Sequence, residues 1–188
     1  MRTFAACLQS LVLVVTLLAP TQVPAVEVRN VQVTQKQRGF IVSFNILLFM
    51  EPVWARKILT DYTQWPDLID PLRETRVLDY LPDGGQRIWL SFEACVLLFC
   101  KTIRQVKDVE QRANGDILVD FVGEGSDFES GWERWRIRGE FNHTRVFYKA
   151  QFVPSFRTPP FIGAKVLKRE LRQILITTGA RLEALSIP

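Results

Sequence analysis

The sequence contains few of the residues from which catalytic centres are usually built. Its 188 residues include one His, three Cys and two Met. The single His, His143, follows Asn142 in a predicted hairpin turn, where a solvated side chain is a poor general base. One His and two Cys that are expected to be oxidised do not supply the ligands of a conventional zinc site. We therefore expect no catalytic residue, no bound metal and no cofactor.

Several motifs with a known chemistry are also missing. There is no Gly-rich phosphate loop and no Gly-x-Ser-x-Gly element. No run of Lys and Arg with interleaved aromatic residues occurs, so nucleic-acid binding is not expected. The acidic stretch from Asp127 to Glu133 falls mostly in a predicted loop, Gly125–Gly131, whose composition indicates a solvated surface. One predicted strand carries an Arg at every second position, and we assign these side chains to the solvent-exposed face of a sheet. They are Arg134, Arg136 and Arg138.

Residues 1–25 have the pattern of an export signal. Arg2 is their only charged residue, and Leu11–Leu18 is an almost uninterrupted apolar run. This run is shorter than the roughly 20 residues that a membrane-spanning helix needs. Val23-Pro24-Ala25 places small residues where a signal peptidase reads the chain. We expect cleavage after Ala25 and a periplasmic or secreted mature protein, with an uncleaved anchor as the alternative.

The remaining residues, 26–188, predict one domain. They carry 23 basic and 20 acidic residues, because Arg2 is the only charge removed with the signal. This mild excess makes an anionic membrane surface a candidate partner without requiring one. No internal repeat and no low-complexity segment divides the chain, and its length is sufficient for one complete core. The oligomeric state is left open.

Cys95 and Cys100 are the two Cys that remain after cleavage. An even number of Cys in an oxidising compartment favours a disulfide. In one straight strand their Cα atoms would lie roughly 16 Å apart, whereas a disulfide needs about 4.4–6.8 Å. The chain must therefore reverse between them, which predicts a hairpin with Val96–Phe99 at its tip. Two reduced Cys within a core are the alternative.

The order of predicted elements is a hairpin, two short helices, a run of strands and one long helix. Alternating apolar residues predict the antiparallel strands, and Asn114-Gly115 is a strong hairpin signal. The last helix, Pro160–Leu185, repeats apolar residues in steps of three and four. The predicted ranges are Val26–Gln35 and Phe40–Phe49 for the hairpin, Pro52–Tyr62 and Pro66–Ile69 for the helices, and strands from Thr75 to Val153.

Three stretches together resemble the START-like superfamily, also called SRPBCC, which includes polyketide cyclase/dehydrases and coenzyme Q-binding proteins. The first is EPVWARKILTDYTQWPDLIDPLRETRVL, which starts at Glu51. The second is ERWRI around Trp135, before Thr144-Arg145-Val146, and the third is VPSFRTPPFIG before the last helix. The resemblance implies an α+β helix-grip fold, with a curved antiparallel sheet wrapped around a long C-terminal helix and an apolar cavity between them. The signal sequence and the Cys pair, which are not general in that superfamily, suggest an exported branch.

The aromatic content, together with this resemblance, favours a ligand cavity over a solid core. With five Trp and thirteen Phe in the chain, a curved sheet would present more apolar surface than one helix can cover. Tyr148 is the expected polar anchor within it. The residues predicted to line the cavity are Leu90, Phe92, Val119, Phe121, Trp135, Ile137, Tyr148 and Phe152 from the strands, and Leu167, Leu171 and Ile174 from the last helix.

These features predict an exported protein that binds a hydrophobic small molecule, such as a lipid or an isoprenoid quinone. A cyclase/dehydrase-type enzyme using the same cavity is one alternative. A membrane-associated accessory protein is another, and an exposed apolar tip at Val96–Phe99 would favour it. The predicted cavity face has almost no ionisable residue, so binding is favoured over catalysis.

Overall fold

Eight antiparallel strands form one sheet, and a long C-terminal helix lies against one of its faces. The computed structural model describes residues 26–96 and 99–185, without the side chains of Val96 and Phe99. The spatial order of the strands is β1-β2-β8-β7-β6-β5-β4-β3. The elements are β1 (Glu27–Lys36), β2 (Gly39–Leu48), α1 (Pro52–Thr60), a 3-10 turn (Tyr62–Gln64), α2 (Trp65–Leu68), β3 (Leu72–Tyr80), β4 (Gln86–Val96), β5 (Phe99–Gln111), β6 (Asp116–Val122), β7 (Phe128–Glu140), β8 (His143–Pro154) and α3 (Ala164–Ala184).

This arrangement is the helix-grip α+β fold that the resemblance implied. Helix α3 packs against β1, β2 and α2, while α1 packs against β7 and β8. Gly179 permits the close approach of α3 to Val26, the residue before β1, because a Cβ atom at this position would lie 2.4 Å from a Val26 methyl group. The sheet therefore has an inner face, which is turned toward the helices, and an outer face.

The long helix begins later than its apolar repeat predicts. Pro159 and Pro160 do not open it. They belong to a turn in which the N–H of Ile162 donates to the carbonyl of Pro159 at 2.9 Å. Gly163 follows in an extended conformation and precedes Ala164, the first helical residue. The prediction of a helix start at Pro160 was wrong, because local hydrogen bonding in the turn replaces the first helical turn.

The predicted hairpin between Cys95 and Cys100 is confirmed. The two residues are directly opposite each other on β4 and β5. Their sulfur atoms are bonded, and their Cα atoms lie 4.0 Å apart. Residues 97–98 and the side chains of Val96 and Phe99 lie outside the described part of the chain, so the apolar tip stays a prediction. No helix among the described residues is both long and apolar enough to cross a membrane.

Strand β7 begins earlier than the sequence predicts. The loop expected to extend to Gly131 ends before Phe128, and β7 pairs with β8 from there onward. Pairing with β8 extends the strand over residues 128–131, whose polar composition resembles a loop, while pairing with β6 begins at Trp132. Glu133 pairs with both β6 and β8 and so belongs to the central sheet. Its solvated position was predicted wrongly, because the carboxylate points to the inner face and is 5% exposed.

Candidate ligand-binding site

The eight predicted strand residues all contribute to the interior between sheet and helices. Leu90, Val119 and Ile137 belong to the fully buried core. Phe92, Phe121, Trp135, Tyr148 and Phe152 are partly buried and pack against this core. The strand alternation therefore identified the inner face. Whether these residues contact a ligand stays a prediction.

The three predicted helix residues differ in their burial. Leu171 packs against the core, whereas Leu167 and Ile174 are half-exposed and lie outside the core cluster. Leu175 and Leu182, further along α3, are buried. The C-terminal half of α3 is thus seated on the sheet, and the apolar side of its N-terminal half remains partly open to solvent.

A small cavity lies in the interior beneath the 3-10 turn and α2. Its volume, measured as the space open to the centre of a water molecule, is about 10 Å³, which is roughly room for one water. Val119 and Trp135 are the only predicted lining residues that border this cavity. The complete lining is Leu59, Tyr62, Trp65, Ile88, Lys107, Val109, Ile117, Val119, Glu133 and Trp135.

A buried ion pair forms the polar centre of this cavity. Lys107 on β5 and Glu133 on β7 reach toward each other over β6, and the ammonium group contacts the Glu133 carboxylate directly. Their side chains are only 7% and 5% exposed. The Lys107 ammonium also lies 5.0 Å from the ring centre of Phe121. Mutual neutralisation and hydrogen bonding allow two charges to remain in an apolar interior, where an unpaired charge would be very costly.

Aromatic side chains complete the surroundings of Glu133. The indole N–H of Trp135 donates to its carboxylate at 3.2 Å. Trp135 packs edge-on against Tyr148, with ring centres 4.5 Å apart. Burial raises the pKa of Tyr148 well above its ordinary value, and the neighbouring Glu133 charge and a hydrogen bond to it act in the same direction. Tyr148 does not border the small cavity, so its role as the polar anchor of a ligand stays a prediction.

Two buried polar atoms in this region have no hydrogen-bond partner within the described part of the chain. They are the Tyr62 hydroxyl and the Gln105 side-chain carbonyl oxygen. Tyr62 is 4% exposed and Gln105 is 7% exposed. Burial, and secondarily the Glu133 charge, raises the pKa of Tyr62. Because buried polar groups are normally satisfied, each of these atoms is a point at which another polar group can bind. Of the two residues, only Tyr62 borders the small cavity.

The polar cluster corrects the prediction that the cavity face lacks ionisable residues. Glu133 stands two residues before Trp135, so strand alternation alone places both on one face. Lys107 similarly stands two residues before the buried Val109 on β5, so the two side chains share one face. The sequence therefore contained the alternation that places both residues inward. We predicted an outward position for Glu133 because an isolated charged side chain is more stable in water.

An aromatic cluster lies on the inner face beyond the ion pair. The rings of Phe121 and Phe152 stack with centres 6.5 Å apart, and Phe128 meets each of them edge-on. Gly131 makes room for this cluster, since a Cβ atom there would lie 2.6 Å from the Phe121 ring. Phe121 and Phe152 are thus predicted lining residues that at present fill the interior.

The sheet, its inner cluster and the covering helix define a START-like helix-grip protein, and solved structures share this architecture. A START superfamily protein from Mycobacterium smegmatis has a TM-score of 0.62 at 16% identity, covering 77% of this chain and 98% of its own. A fragment of a STAR-related lipid transfer protein from Xanthomonas axonopodis has a TM-score of 0.58 at 12% identity, with coverages of 82% and 99%. The Zhui aromatase/cyclase from Streptomyces has a TM-score of 0.52 at 13% identity, with coverages of 78% and 90%. At these identities the likeness shows the fold alone.

The sequence itself identifies the family. Residues 51–176 match the family model described as polyketide cyclase / dehydrase and lipid transport. The chain therefore belongs to this family, which confirms the resemblance to the START-like superfamily. No protein of curated function matches the sequence significantly. The resemblance to coenzyme Q-binding proteins stays a prediction.

Proposed function

We propose that the protein is an exported binding protein that holds a hydrophobic ligand, such as a lipid or an isoprenoid quinone, between the sheet and α3. The family description includes lipid transport, and the inner face supplies apolar and aromatic walls. The observation that carries the proposal is the pair of unsatisfied buried atoms, Tyr62 Oη and Gln105 Oε1. In a mostly apolar site, a few such groups orient the polar end of a ligand.

The charges around these atoms favour a neutral polar group on the ligand. Lys107 is the basic residue that lines the small cavity, and it is already paired with Glu133, so the described lining offers a carboxylate no unpaired cation. A ligand carboxylate would also meet the negative charge of Glu133. A carbonyl group can instead accept a hydrogen bond from Tyr62, and a hydroxyl group can donate one to Gln105.

Ligand binding requires the interior to expand. The cavity of about 10 Å³ is far smaller than the roughly 300–1,000 Å³ of an ordinary small-molecule site. A chain-like ligand would have to displace side chains of the aromatic cluster that includes Phe121 and Phe152. We expect the entrance beside the N-terminal half of α3, because Leu167 and Ile174 are half-exposed there and the helix is least embedded.

A comparison of ligand head groups tests this proposal. We expect a long-chain methyl ketone or alcohol to bind about tenfold more tightly than the fatty acid of the same length. Tyr62→Phe should weaken binding of the ketone by a similar factor, because it removes one hydrogen-bond donor and little apolar area. Tyr80→Phe is the matched control, since Tyr80 is 73% exposed. Tighter binding of the fatty acid, or no effect of Tyr62→Phe, would contradict the proposed head-group site.

Export and the disulfide can be tested on one sample. Protein purified from the cell envelope of its own source should have Val26 as its N-terminus and no thiol that reacts with an alkylating reagent under native or denaturing conditions. Native mass spectrometry of the same sample, followed by organic extraction, would identify a bound lipid. Retention of Met1 in a membrane fraction would show that residues 1–25 are an anchor, and reactive thiols would exclude a disulfide in the cell.

A cyclase/dehydrase-type enzyme is a second candidate function, and the buried cluster is the observation that favours it. A carboxylate beside two phenols, Tyr62 and Tyr148, can in principle transfer protons to a reactive carbonyl chain. The Glu133 carboxylate is, however, already engaged by Lys107 and Trp135, which fits a structural role better. Cyclisation of a poly-β-ketone analogue by the wild type, lost in Glu133→Gln without loss of ketone binding, would favour the enzyme.

A further inference from the structure

A groove on the outer face of the sheet collects cationic side chains opposite the proposed ligand site. It crosses β1, β2, β8 and β7 and has a volume of about 360 Å³. Arg134, Arg136 and Lys149 are its charged lining residues, and no acidic residue lines it. The register shift in β1 between Arg29 and Gln32 lies at one end of this groove.

Arg134 and Lys149 are directly opposite each other on β7 and β8. Like charges in this position repel each other and destabilise a sheet. Among the described residues, neither side chain forms an ion pair, a hydrogen bond or a ring contact. Arg136 has only the ring of Phe147, which lies 5.4 Å from its guanidinium carbon. No acidic group of the described chain forms an ion pair with any of these three cations, although Asp116 lies directly opposite Arg136 on β6.

A second pair of cations on the same two strands shows the contrast. Arg138 and Arg145 are also directly opposite each other. There, however, Arg138 donates to Asp116 at 2.6 Å and Arg145 donates to Glu140 at 2.5 Å. The fold therefore provides a counterion for each member of one like-charged pair and none for the other. The unneutralised pair has the electrostatic character of a site for an external anion.

We propose that this outer groove binds a phosphate group carried by a larger molecule. Two guanidinium groups can donate pairs of hydrogen bonds to phosphate oxygens, and Lys149 adds a compact positive charge. Ser43, directly opposite Lys149 on β2, contributes a hydroxyl to the same lining. The groove is larger than a phosphate ion needs, so its uncharged part, with Gln32 and Asn45, can accommodate the rest of a head group. This site lies on the opposite face from the proposed ligand cavity and does not depend on it.

Titration of the folded wild-type protein tests the site directly. Inorganic phosphate and glycerol 3-phosphate should shift the guanidinium Nε–Hε resonances of Arg134 and Arg136 and leave those of Arg138 and Arg145 unchanged, whereas chloride should shift none. Vesicles of phosphatidylglycerol in phosphatidylcholine, compared with phosphatidylcholine alone, test a lipid-borne phosphate. Binding of glycerol 3-phosphate in solution supports a soluble phosphate ester, and binding to the anionic vesicles alone supports a lipid head group.

Two double variants that lose the same charge distinguish a specific phosphate site from nonspecific electrostatic attraction. Arg134→Gln/Lys149→Gln should weaken phosphate or vesicle binding at least about fivefold. Arg138→Gln/Arg145→Gln removes the same charge from the same two strands and should bind like the wild type. Circular dichroism checks that both variants are folded. Equal loss in the two variants, or no response of wild-type Arg134 and Arg136 to any phosphate probe, would overturn the proposal.

Discussion

Replacing Lys107 by Met should lower the free energy of unfolding by about 3–5 kcal/mol, because it leaves the Glu133 carboxylate buried without its counterion. The Trp135 N–H, at 3.2 Å, is a hydrogen-bond donor but supplies no positive charge to replace the ammonium group. Glu133 is 5% exposed, and the cavity beside it has room for roughly one water, so the remaining charge cannot be fully solvated without local opening of the sheet. Urea denaturation monitored by Trp fluorescence would measure the change.

The double variant Lys107→Met/Glu133→Gln should recover most of this loss. It removes both charges and keeps an amide that can accept the Trp135 hydrogen bond. The matched control is Arg87→Met on β4. Arg87 pairs with Asp108 through two hydrogen bonds of 2.7 Å, but the two side chains are 38% and 28% exposed. Its loss should cost at most about 1 kcal/mol. If Lys107→Met is no more destabilising than Arg87→Met, the buried charge pair is not a feature of the folded protein.

Leu48→Ala and Trp135→Ala should differ in their effects on stability and on ligand affinity. Leu48 is 1% exposed at the end of β2, and it belongs neither to the predicted lining nor to the lining of the small cavity. Its truncation should cost about 2–5 kcal/mol of stability and leave the affinity of each folded molecule unchanged. Trp135 is half-buried and borders the cavity. Its truncation should lower ligand affinity about tenfold or more and destabilise the fold by less than about 3 kcal/mol.

Trp135→Phe separates packing from hydrogen bonding in this comparison. It keeps an aromatic ring against Tyr148 and removes the N–H that donates to Glu133. Ligand affinity should fall less in Trp135→Phe than in Trp135→Ala, if the ring itself forms part of the wall. Binding would be measured by titration with the long-chain ketone and corrected for the folded fraction. A collapse of the melting temperature in Trp135→Ala, with unchanged affinity per folded molecule, would place Trp135 in a solid core.

Local sequence patterns were sufficient for the elements and for one covalent link. The first hairpin was predicted within one residue at its ends, because β1 and β2 carry a strong strand pattern around a short turn. Asn114-Gly115 forms the predicted turn between β5 and β6, with Gly115 in the left-handed region at a φ of +85°. Cys95 and Cys100 had to face each other across a hairpin, since a disulfide cannot bridge five residues of straight strand. These outcomes depend on neighbours in the chain, whose geometry is set by backbone stereochemistry.

The polar interior depended on contacts that only the tertiary structure creates. Alternation places Glu133 on the same face as Trp135, but the cost of burying a lone carboxylate argued for solvent. That cost is offset by Lys107, 26 residues earlier in the chain, once β5, β6 and β7 align in one sheet. Strand register thus determines which residue can neutralise a buried charge. A local sequence pattern contains no information about this register.

Strand register also explains why the two like-charged pairs of the outer face, Arg134/Lys149 and Arg138/Arg145, differ. Sequence alternation assigned Arg134, Arg136 and Arg138 alike to the outer face, and in the structure all three are exposed. Only the register shows that Arg138 reaches Asp116, while Arg134 lies opposite Lys149 without a counterion. The chain by itself determined its strands, its long helix, its Cys hairpin and the apolar character of its inner face. Which charges are neutralised, inside and outside, was decided by the pairing of distant strands, because electrostatic energy depends on distance in space.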